Sequence, residues 1–244
     1  MEENLYTIVL AAIAPAVVLL VYIWWKDKYQ REPFSQIIKG FFYGVISAGV
    51  AIAIGVVITL LGWLPEETTT FGQAIWRAFV GAALPEEFAK LMMLWLLLRR
   101  NKYFDERFDG IVYAACIGLG FAATENIFYL LSNINQWEAV AVQRAIFAVP
   151  GHFFFAVAMG YFYSNIYFGD MNWRKASLIY WVPVLLHGTY DSLLFMANLG
   201  TMWSGALLVG FYVFCWKLMR YGRRNIAERL VADKKASENA IFFA

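Results

Sequence analysis

Seven ionisable residues stand inside stretches that are otherwise almost wholly apolar: Glu86, Glu87, Lys90, Glu125, His152, His187 and Asp191. Carboxylates and imidazoles move protons near neutral pH, activate water and ligate metals, so they are the side chains from which a hydrolytic site or a proton relay would be built. The chain has only 2 histidines, and both belong to this set. A charge near the centre of a membrane-spanning helix costs about 2.5 to 3.5 kcal/mol. Such residues face a bundle interior and mark a functional path.

The spacings constrain which groups can meet. In Pro85-Glu86-Glu87-Phe88-Ala89-Lys90, Glu86 and Lys90 are four apart and share a helix face, while Glu87 points about a quarter-turn away. One carboxylate can then be neutralised while its neighbour stays available for chemistry. Glu125 sits in Phe121-Ala122-Ala123-Thr124-Glu125-Asn126, with Ala114, Gly118 and Ala122 on nearly one stripe, which lets a neighbouring helix approach closely. His152 begins a ladder of Ala156, Gly160 and Ser164 at four-residue steps, a second close-packing face. His187 and Asp191 are also four apart, so the carboxylate can reach the imidazole and set its tautomer. Each group alone has a bland reading, a buried ion pair or a helix-to-helix hydrogen bond; two histidines beside carboxylates at one depth argue for more. Pro85, Pro150 and Pro183 precede polar groups by no more than four residues, and each removes a backbone donor and displaces the carbonyl four residues earlier. Such bends admit water.

These residues need elements to hold them. The chain is 61% hydrophobic and 16% charged, where a soluble domain is about 25% charged. The apolar residues fall in blocks of the length that crosses a hydrocarbon layer. Seven spans are predicted, at 5–25, 36–63, 74–98, 109–131, 143–168, 176–197 and 203–219, an all-α polytopic bundle. Residues 1–221 form one membrane domain, its motif-bearing core at about 74–197, and 222–244 a basic tail suited to anionic lipid. The first block is read as a mature helix, because Glu2 and Glu3 are acidic where a signal peptide is basic. All of the 20 Lys and Arg except Arg77, Lys90 and Arg144 fall on one side of the alternating spans, which puts the N-terminus outside and the C-terminus in the cytoplasm. Trp24, Trp25, Trp63, Trp137, Trp173, Trp203 and Trp216 lie near predicted ends as an interfacial belt. Cys116 and Cys215 sit in apolar blocks and read as small buried hydrophobes. Nothing suggests nucleic-acid binding.

With the motifs EExxK (Glu86, Glu87, Lys90), FxxxEN (Phe121, Glu125, Asn126), His152 after Pro150-Gly151, and HxxxD (His187, Asp191), in this order on successive helices, the chain resembles the PrsW family of intramembrane proteases, relatives of the CAAX-processing and bacteriocin-processing membrane proteases. The wider relatives carry His in the second motif and often Asn at the end of the fourth; Glu125 and Asp191 stand there, which fits PrsW better and puts a prenyl-protein substrate in doubt. The resemblance implies a bacterial plasma-membrane enzyme that cuts a single-span membrane protein, such as an anti-sigma factor, near the outer face to begin regulated proteolysis. Two mechanisms are open. In one, Glu86 or Glu87 is the general base, while His187, oriented by Asp191, and His152 stabilise the oxyanion. In the other, His152, His187 and Glu125 hold zinc and Glu86 or Glu87 is the base, although no HEXXH is present. Lys90 and Asn126 support either set. The rivals are a proton-coupled transporter or channel that uses the same groups as a relay, and a non-catalytic scaffold that binds membrane helices.

Overall fold

The computed structural model describes residues 2–169 and 172–242; the side chains of Glu2 and Glu3 lie outside the described residues. All the regular structure described is helical: α1 (Glu2–Lys26), α2 (Phe34–Leu60), α3 (Phe71–Trp76), α4 (Leu84–Leu98), α5 (Asp109–Ser132), α6 (Trp137–Gln143), α7 (Val149–Tyr167), α8 (Trp173–Ala197) and α9 (Ser204–Phe242). A wide π turn, Arg77–Ala83, joins α3 to α4, and another, Arg144–Ala148, joins α6 to α7, so the nine helices make seven rods. Each predicted span falls on one rod. Four rods, Leu5–Lys26, Phe34–Leu60, Asp109–Ser132 and Ile134–Tyr167, are long and apolar enough to cross a membrane by length and composition.

The burial pattern explains the arrangement. Only 28% of the apolar window is buried in each of α1 and α2, against 78% in α5. The apolar surface left on the first two helices, Leu10, Val18, Phe42, Ile46 and Val56 among it, is the face a bilayer would cover. α5 is the central post, packed on α1, α2, α4 and α7, and it can be surrounded because its stripe is small. A Cβ added to Gly160 of α7 would come within 2.2 Å of the Gly110 carbonyl oxygen of α5, and one added to Gly120 within 2.0 Å of the Phe41 carbonyl oxygen of α2. The two small-residue ladders therefore meet each other, α5 against α7.

Both π turns end just before a motif proline. The amide of Leu84 bonds the Phe79 carbonyl and that of Val149 bonds the Arg144 carbonyl, five residues back instead of four. Pro85 and Pro150 follow at the next position. A proline displaces the carbonyl four residues before it, and a π turn is one way to absorb that displacement without breaking the rod.

The polar tail is helical and continuous with the last span: α9 runs for 39 residues and shows no break at residue 221. It docks on the protein. Asp233 accepts from the backbone amides of Phe108 (2.9 Å) and Arg107 (3.3 Å), and Arg229 donates to Asn165. Arg229 and Asp233 are both buried, so this face of the tail belongs to the fold and is not open to lipid.

Candidate active site

The four motifs converge. Glu87, Lys90, His152 and His187 are buried, Asp191, Glu86 and Glu125 partly so. The imidazoles of His152 and His187 cross at 87° with centroids 5.2 Å apart, and His187 stacks on Phe155. Around His187, Nδ1 lies 2.8 Å from Glu87 Oε1, while Nε2 lies 3.3 Å from Asp191 and 3.9 Å from Glu86. Around His152, Nδ1 lies 3.1 Å from Lys90 Nζ and Nε2 2.9 Å from Glu125 Oε2.

One pairing differs from the spacing argument. Lys90 sits 2.8 Å from Glu87 and 3.6 Å from Glu86, so the carboxylate neutralised most directly is Glu87. The cause is burial: Glu87 is 0% exposed and depends wholly on protein partners, whereas Glu86 borders a cavity. Lys90 reaches a third acceptor in His152 and lies 4.0 Å above the Phe121 ring. Since an ammonium only donates, the short contact makes His152 Nδ1 the acceptor, and Nε2–H then donates to Glu125.

Arg144 is the component that motif reading missed. The chain places it in the π turn before α7, where it donates to Glu125 Oε2 and to Asn126 Oδ1, each at 2.5 Å, and covers the Tyr129 ring. Asn126 in turn donates to the Ala12 carbonyl of α1 at 3.0 Å. Its signal in the sequence is a lone cation at the start of an apolar block, eight residues before His152.

A cavity of 330 Å³ lies beside the cluster; Glu86, Glu125, Arg144, His152, His187 and Asp191 are on its wall and Glu87 is not. With all four carboxylates ionised and both histidines neutral, Glu86, Glu87, Glu125 and Asp191 would exceed the two cations Lys90 and Arg144 by two negative charges. Burying such an excess is unfavourable, and a divalent cation would balance it. One donor atom from each of Glu86, His152 and His187 lies within 4.8 Å of the other two, and Glu86 Oε2 is buried with no hydrogen-bond partner. Two imidazoles and a carboxylate are a recognised zinc donor set. The residues fit a metal, and the carboxylate that converges with the imidazoles is Glu86; Glu125 is held by Arg144.

The sequence profile of the family described as PrsW family intramembrane metalloprotease matches residues 13–219. The chain belongs to the PrsW family. Its relatives include proteins named Protease PrsW from Clostridioides difficile, 35% identical over 86% of this chain and 87% of the relative, and Oceanobacillus iheyensis, 33% identical over 96% and 98%. A third, from Geobacillus kaustophilus, is 32% identical over 88% and 91%. No solved structure matches. Membership makes the chain an intramembrane protease, a multi-pass protein of the bacterial plasma membrane, and sets aside the transporter and scaffold readings.

Proposed function

We propose that the cavity beside Glu86, His152 and His187 is where the peptide bond of a single-span membrane protein, of the anti-sigma-factor kind, is hydrolysed near the outer face, starting regulated proteolysis. The observation that carries this reading is the convergence of those three donor atoms on a cavity wall inside a helical membrane bundle. The cavity is bordered by the last turns of α5 and α8 and the first of α9. With the N-terminus outside, as the basic residues suggest, these turns are exterior ends.

Glu86, His152 and His187 would hold the metal. When bound it would lower the pKa of a water and polarise the scissile carbonyl. An imidazole nitrogen that takes a metal has no proton to donate there and no lone pair to spare, so His152 would give up its bond to Lys90 or to Glu125 if it held the metal. Glu87 accepts from His187 Nδ1–H and fixes the ring, the outer carboxylate partner that metal-binding histidines require. Glu125 borders the cavity with one oxygen held by Arg144, which leaves the other to accept the proton of the attacking water. The water oxygen bonds the carbonyl carbon, the C–N bond breaks, and the proton passes to the leaving amine.

One observation favours a metal-free version. Lys90 occupies His152 Nδ1 and brings a positive charge to the cluster. In that version Glu86 is the base and the two imidazoles, His187 backed by Asp191, stabilise the oxyanion. Proteoliposomes carrying a single-span substrate decide between the versions. Loss of cleavage on chelation and recovery with zinc supports the metal; cleavage indifferent to chelation supports Glu86 as base. Wild-type rates in both Glu86→Gln and His187→Ala would defeat both.

A further inference from the structure

A second group of acids lies far from the catalytic pocket. Asp27 follows α1, Glu32 precedes α2, Glu106 lies in the α4–α5 loop and Asp109 opens α5. Glu125 is sixteen residues further along α5, roughly 24 Å at the rise of an α-helix. All four acids are buried.

In Asp27, Glu32 and Asp109 one carboxylate oxygen is hydrogen-bonded and the other is not. Asp27 Oδ2 accepts from the Glu32 amide at 2.7 Å, Asp109 Oδ2 from the amides of Asp105 (3.0 Å) and Glu106 (2.6 Å), and Glu32 Oε2 from the Tyr113 hydroxyl. The second oxygens, Asp27 Oδ1, Asp109 Oδ1 and Glu32 Oε1, are buried without any partner. A donor oxygen from each of Asp27, Glu106 and Asp109 lies within 4.8 Å of the other two. Glu32, 2% exposed, adds an orphan oxygen from outside that trio. A buried carboxylate oxygen without a partner is costly, and a cation held by these acids would offset that cost. Arg31 is the cation that acts on Asp27, and its hydrogen bond goes to the Asp27 backbone carbonyl.

We propose that Asp27, Glu106 and Asp109, with Glu32 beside them, form a second cation site that takes a hard divalent ion, magnesium or calcium. The donors are all oxygen, which suits those ions and disfavours zinc. The site joins the α1–α2 connection to the start of α5 and so would tie the peripheral helices to the central post.

Terbium is the probe, because Trp24 donates to the Glu32 carbonyl at 3.2 Å and can sensitise its luminescence. Purified full-length protein, stripped with chelator and titrated with terbium, should give a saturable signal that magnesium or calcium competes away; the ion that competes identifies the occupant. Glu106→Gln and Asp109→Asn should weaken it by about tenfold or more, as loss of a ligand does at least what loss of a ligand's supporting partner does. Glu86→Gln should retain it, which separates this site from the catalytic one. The proposal fails if the wild type gives no saturable signal, if neither ion competes, if both acidic variants keep full affinity, or if Glu86→Gln alone abolishes binding. Should those variants not fold, the wild type decides: its melting temperature must rise when magnesium or calcium is returned, and an unchanged temperature overturns the site.

Discussion

At the residue scale, Lys90 does most to make the proposed catalytic group possible. It faces Glu87, Glu86 and His152 from one position, and without it Glu87 keeps a buried charge with only an imidazole to answer it. Breaking a buried pair by removing one partner costs about 3 to 5 kcal/mol. Lys90→Met should therefore lower resistance to unfolding by an amount of that order, measured by thermal unfolding in detergent, and Lys90→Met with Glu87→Gln should recover part of it. Equal melting of single and double variants would show that the pair is not coupled. Glu125→Gln tests the carboxylate that Arg144 holds: if Glu125 is the base, kcat for cleavage should fall by about 10²-fold or more while KM changes little. A wild-type kcat would remove Glu125 from that role. The motif residues were legible because an ionisable group in an apolar block is conspicuous. Their partners were less so: the choice of Lys90 between two glutamates depends on which one is sealed from solvent, and Arg144 reaches its carboxylate through a turn that regular helical spacing does not describe.

At the element scale, the seven rods could be read from block length alone, and the small-residue ladders of α5 and α7 from four-residue steps. The contact between Gly160 and the Gly110 carbonyl leaves no room for a side chain. Gly160→Leu should cost about 1 to 3 kcal/mol or more by overpacking, seen as a lower melting temperature with loss of activity. An unaltered protein would mean that the rods slide apart easily. The connections hid more. Asp27, Glu32 and Glu106 look like ordinary loop charges in sequence, and only folding brings them together. Burial is the first cause that raises their pKa values, to about 6, about 8 and about 7 respectively, with each other, Asp105 and Asp233 adding to it and Arg31, the Tyr113 hydroxyl and Gln30 opposing. A carboxyl raised in the fold contributes stability that is present below the ordinary carboxylate range and lost as pH rises through the folded value. Cation-free protein should therefore melt at falling temperature between about pH 4 and pH 8, and saturating magnesium or calcium should flatten that slope by replacing the protons. A slope that is the same with and without the ions would contradict the second site.

At the scale of the whole molecule, the working groups gather at one end of α5 and the acid-lined connections at the other. The α9 helix spans both regions: Leu208 and Phe211 border the proposed catalytic cavity, and Asp233 holds the amides at the start of α5. That long-range bond is a helix cap supplied from 125 residues away. The first turn of an α-helix has four amides with no partner inside the helix, and a carboxylate there also favours the helix dipole. The central post is therefore capped only when Asp233 has been made. A ribosome that has released everything up to residue 228 has made every motif and still lacks the stopper for the helix that carries Glu125. A chain ended there should exchange the amide hydrogens of residues 108–112 faster than the full-length protein does, and an unchanged exchange rate would show that the stopper is dispensable.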